Sequence, residues 1–117
     1  MIKNIITKNF NERKLLNEKI FNNPIISQEN KDYLKQLLRA VQVTEIFIGD
    51  PRAYSGYEVL VIAAKGNGIA GMKLEYAENF IPAADEEFFI EVGVNDEYEG
   101  AIEISNSECE PLGFVEL

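Results

Sequence analysis

From Val43 onward the apolar residues of this chain stop recurring every three or four positions and begin to alternate with polar ones or to run together. That change of period constrains the fold more than any other feature, because a helix and a strand bury different sets of positions. Before it, Asn11 is placed to cap a helix beginning "ERKLLNEKIF", with Leu15, Leu16, Lys19 and Ile20 at helical spacing and Glu12 in the first turn. "NNP" stops that helix, and Ser27 is placed to cap a second one, "QENKDYLKQLLRAV". Its stripe is Tyr33, Leu34, Leu37, Leu38 and Val41, while Lys31, Lys35 and Arg39 point to water. After Val43, "VTEIFIG", "YEVLVIAA", "IAGMKLEY", "EEFFIEVGV", "AIEIS" and "LGFVEL" read as strands. "KGNG" contains residues that tolerate positive φ and reads as a hairpin turn joining the second strand to the third. The expected architecture is one α+β domain over residues 1–117, with two N-terminal helices packed on a mostly antiparallel sheet of about six strands.

Charge divides the chain as well. The formal charge is −9, but residues 1–73 hold 7 acids and 11 bases, whereas residues 74–117 hold 13 acids and no base. An asymmetry of this size in a small domain points to an acidic face used for association, and it argues against direct contact with nucleic acid, whose phosphates need a basic surface. The period of two assigns the acids to sides. Phe88, Ile90, Val92 and Val94 share the core side of their strand, while Glu87, Phe89 and Glu91 share the other. On the neighbouring strand Ile102 and Ile104 point inward and Glu103 outward. The outward face thus gathers Glu87, Glu91 and Glu103 around Phe89, with Asp96, Glu97, Tyr98 and Glu99 in the turn. Like charges on neighbouring strands cost roughly 0.2–1 kcal/mol per pair, so a chain selected for stability alone would place lysines there. An aromatic anchor inside a ring of carboxylates is instead what a docking surface for a basic partner requires.

Signals for chemistry are few. Histidine is absent and cysteine occurs once, as Cys109 between Glu108 and Glu110, which disfavours a zinc site, a disulfide and a reactive thiolate. "NDEYEG" lacks the spacing of a calcium loop, and in "AAKGNGIAG" the lysine precedes the glycines, unlike a phosphate-binding loop, so no cofactor is expected. "GDPRAYSGYE" gathers Asp50, Arg52, Tyr54, Tyr57 and Glu58 and is the one segment suited to a small enzyme's polar site, although loops favour such residues for turn reasons alone. No apolar run approaches the roughly 18 residues of a membrane span, and the single cysteine suits a reducing, cytoplasmic setting.

In "NPIISQENKDYLKQLL", residues 23–38, the proline, the polar cap and then Tyr33 and Leu34 resemble the helix near the start of bacterial SUKH-type immunity proteins. The glycine-bearing segment that follows that helix in the family is replaced here by "RAVQV". In its acidic, small α+β character the chain is also similar to immunity proteins of toxin delivery systems, contact-dependent inhibition included. The resemblance implies a non-enzymatic protein that neutralises a basic toxin domain, such as a nuclease, by stoichiometric binding. Three other readings remain open at this point: an acidic mimic of nucleic acid, a small enzyme built on the Asp50 to Glu58 loop, and a scaffold or assembly subunit that associates through a strand edge.

Overall fold

A computed structural model describes residues 10–49, 58–66, 85–95, 101–106 and 111–114. Helix α1 (Phe10–Leu16) runs directly into a π-helical segment (Asn17–Phe21), and helix α2 (Gln28–Arg39) follows. Five strands complete the order: β1 (Gln42–Ile48), β2 (Val59–Lys65), β3 (Glu87–Gly93), β4 (Ile102–Asn106) and β5 (Pro111–Phe114). They form one antiparallel sheet in the order β1-β2-β3-β4-β5, so each strand pairs with its neighbours in sequence.

The expected α+β class is present, with three differences of detail. Asn11 lies inside α1 and does not cap it, because the helix already includes Phe10. Five strands are described, and residues 69–76, expected to form another, lie outside the described residues. The third difference concerns pairing. β2 is hydrogen-bonded to β1 along one edge and to β3 along the other over nearly its whole length, which leaves no edge for the hairpin expected with residues 69–76. Gly66, at φ 119°, does adopt the left-handed backbone that the turn chemistry of "KGNG" suggested, and it ends β2.

Helix α2 forms where its cap and stripe predict. Ser27 is extended (φ −64°, ψ 153°) and its Oγ accepts from the Asn30 N–H at 3.2 Å. Tyr33, Leu34, Leu37 and Leu38 are buried on one side, and each fully enclosed leucine contributes about 1.5–3 kcal/mol over an exposed one. They meet Ile46, Leu60, Ile62, Ala64, Phe88, Ile90, Val92, Ile102 and Ile104, the inward residues of four strands. The α1 layer adds Leu16 and Ile20 to the same core.

The π-helical segment widens the last turns of the first helix, with the Asn22 N–H bonded to the Asn17 carbonyl five residues back at 2.7 Å. Polar contacts then fasten it to the sheet. The Asn23 side-chain amide donates to the carbonyls of Lys19 (2.9 Å) and Val94 (3.2 Å), and its oxygen accepts from the Ile25 N–H (3.0 Å). Lys19 Nζ lies 2.8 Å from Glu58 Oε1 at the start of β2. Among the described residues, no helix is long and apolar enough to cross a membrane.

Candidate functional site

The helices cover one face of the sheet, so the site is built on the other. Register places its side chains in rows. Phe47, Val61, Glu91 and Glu103 lie opposite one another from β1 to β4, and Glu45, Ala63, Phe89 and Ser105 form the next row. Lys65 faces Glu87 beyond them. Acid and aromatic therefore exchange places between the rows, Phe47 and Glu91 in one, Glu45 and Phe89 in the other.

A bulge sets the β1 end of this pattern. Val43 pairs with Ala64 and Glu45 with Ala63, so one extra residue, Thr44, is accommodated between them. Val43 and Ile46 can then both face the core although three positions separate them, and Thr44 and Glu45 both come to the outer side. Thr44 Oγ1 accordingly reaches over the β2 row to donate to Glu87 Oε2 at 3.3 Å.

Burial differs across the face. Glu45 and Phe47 are exposed, Glu87, Phe89 and Glu103 are half-buried, and Asp85 and Glu86 just before β3 are exposed. Glu91, by contrast, is only 8% exposed, so it is not the open contact residue that alternation alone assigned. Val59, Val61 and Ala63, the β2 residues on the same side, are buried as well although they lie outside the helix-side core, so the middle of this face is enclosed. A buried carboxylate needs donors, and the Ser105 hydroxyl supplies one by donating to Glu91 Oε1. Glu103 stands directly across from Glu91. Burial lifts the Glu103 carboxyl above the ordinary carboxylate range, and the charge of Glu91 lifts it further.

Of the sequence-derived residues, Glu87, Phe89, Glu91 and Glu103 share this face, as the period of two required. Asp96, Glu97, Tyr98 and Glu99 lie outside the described residues, as do Cys109 and the loop from Asp50 to Tyr57. Glu58 is described, in its ion pair with Lys19. Glu45 and Phe47 were not expected on the face. The spacing of Val43 to Ile46 inside an otherwise alternating strand is the signal that places them there.

The fold carries the uneven distribution of bases along the chain into its layers. Among the described residues the helical layer carries six bases, Arg13, Lys14, Lys19, Lys31, Lys35 and Arg39, beside four acids, Glu12, Glu18, Glu29 and Asp32, whereas the strands carry Lys65 as their one base against Glu45, Glu87, Glu91 and Glu103. Among the described residues, no group of three or more metal-ligating side chains converges. The chemistry available on the face is electrostatic attraction and aromatic contact. Compared with protein-family models, curated proteins and solved structures, the chain has no significant match in any of the three.

Proposed function

We propose that the chain is a non-enzymatic, acidic protein-binding module that docks a basic partner on the outer face of its sheet. In this reading it acts as an immunity protein does, holding a basic toxin domain such as a nuclease in a stoichiometric complex. The observation that supports the reading is the excess of acid on the strands, four carboxylates to one base among the described residues with two phenylalanines on the same face, against six bases and four acids on the helices. Contact falls to the exposed residues Glu45, Phe47, Asp85 and Glu86, with the half-buried Glu87 and Phe89 behind them. Glu91 and Glu103 add to the field of the face from beneath. Electrostatic complementarity of this kind acts mainly on the association rate and on the choice of partner, and salt weakens it.

The test uses a basic protein that the wild-type chain captures from its source cell at low salt and releases at high salt. With that protein purified, Glu45→Lys, Glu86→Lys and Glu87→Lys together should weaken binding roughly tenfold or more, mostly through slower association, and flatten its salt dependence. Glu18→Lys, on the helical layer, serves as the control. Equal affinity for the triple variant and the wild type would refute the assignment of the face.

A further inference from the structure

Strand β1 stands at the edge of the sheet, with β2 as its partner among the described residues. Its sequence, QVTEIFI, contains neither proline nor lysine, the residues that often blunt such edges, and Phe47 and Ile48 are 37% and 41% exposed. An apolar edge of this kind is a template for another strand. Among the described residues, one hydrogen bond stands in the way. Glu12 Oε2, on α1, accepts from the Ile46 N–H at 2.6 Å, joining residues 34 apart in the chain. The strand donor therefore meets a carboxylate where an adjacent strand would present its carbonyl.

We propose that Glu12 is an edge guard, holding α1 against β1 so that the β1 of a second copy cannot add to the sheet. The geometry selects that occupant. In an antiparallel pair the N–H and C=O of one residue face the same side, so the outward N–H of Ile46 makes it the centre of a two-fold pairing in which two copies of Ile46 exchange both bonds. That register sets Glu45 of one copy against Phe47 of the other, and Thr44 against Ile48. It avoids opposing carboxylates and covers both exposed apolar residues. Glu12 occupies the donor on which this pairing is centred.

The experiment compares the mass of the full chain over a wide range of concentration for the wild type, Glu12→Gln and Glu12→Ala. Gln retains an oxygen that accepts from Ile46, so the wild type and Glu12→Gln stay monomeric, while Glu12→Ala self-associates roughly tenfold to a hundredfold more tightly. Adding Phe47→Lys to Glu12→Ala restores the monomer, because a lysine on the edge opposes strand addition. A folded Glu12→Ala chain that stays monomeric overturns the proposal, and so does association that Phe47→Lys leaves intact or a wild type that dimerises. Should Glu12→Ala fail to fold, amide exchange in the wild type decides. Slow exchange at Ile46 supports the guard, and exchange as fast as that of an open edge amide overturns it.

Discussion

Replacing Glu103 by glutamine should make this protein more stable at neutral pH. Burial disfavours the Glu103 charge first, and Glu91 across the strand pair disfavours it further. The Cβ atoms of directly opposed residues lie about 5 Å apart, and two unit charges at that separation repel by about 0.8 kcal/mol in a water-like dielectric and by about 3 kcal/mol at an effective constant of 20. Glu103 is half-buried, and its solvent screening holds the repulsion near the lower figure. We expect Glu103→Gln to gain about 0.5–1 kcal/mol, or a rise in Tm of about 2–8 °C for a domain of this size. The gain has a definite sign with pH. Glu103 in the folded chain holds its proton more tightly than in the unfolded chain, so its ionisation costs stability as pH rises above the ordinary carboxylate range through the raised folded value. The advantage of glutamine therefore grows as pH rises through the raised folded value and disappears in acid below the ordinary carboxylate range. Thermal melts at neutral pH and in acid measure it, and Glu91→Gln completes the cycle. Glutamine at 91 keeps an acceptor for Ser105 but removes the opposing charge, so the gain from Glu103→Gln should shrink in that background to the part due to burial. A destabilised Glu103→Gln chain at pH 7, or a gain of equal size with and without Glu91, would refute the reasoning.

Two further substitutions test how the helical layer is held. Ser27→Ala removes the acceptor for the Asn30 N–H and should lower stability by about 0.5–2 kcal/mol, seen as an earlier urea midpoint with unchanged slope. Asn23→Ala removes the ties to the Lys19 and Val94 carbonyls and to the Ile25 N–H, with an expected loss of about 1–3 kcal/mol in the same titration. A loss within about 0.5 kcal/mol, typical of plain surface changes, would show that Asn23 does not fasten the π-helical segment to β3.

Local rules made much of the fold legible. The serine cap and leucine stripe of α2 are complete within 12 residues of sequence, and the strict alternation of Phe88, Ile90, Val92 and of Ile102, Ile104 assigns both faces of β3 and β4. What escaped was set by distant partners. The run "VLVIAA" is buried on both sides, so nothing in its pattern distinguishes a strand with one neighbour from a central strand with two, and the nearby glycines suggested the wrong hairpin. The same blindness explains Glu91. Alternation gives the side of the sheet on which a residue lies but not how far that part of the face is enclosed, and Glu91 is buried together with Val61, its β2 partner 30 positions away in sequence. At β1 the difficulty is different, since the displaced Val43 to Ile46 spacing is visible in the sequence and acquires meaning only once a bulge is admitted.

The central place of β2 also determines where this chain tolerates insertions and deletions. From Val59 to Ala64 every residue is buried, successive side chains serve opposite faces, and both edges carry hydrogen bonds. Losing one residue there would exchange the two faces and shift the register against two strands at once. A change of length that falls between paired strands leaves both registers intact, and each doubling of a flexible loop costs only about 0.6 kcal/mol in closure entropy. Length variation among versions of this chain therefore belongs between its strands, and β2 is the ruler against which the other parts are aligned.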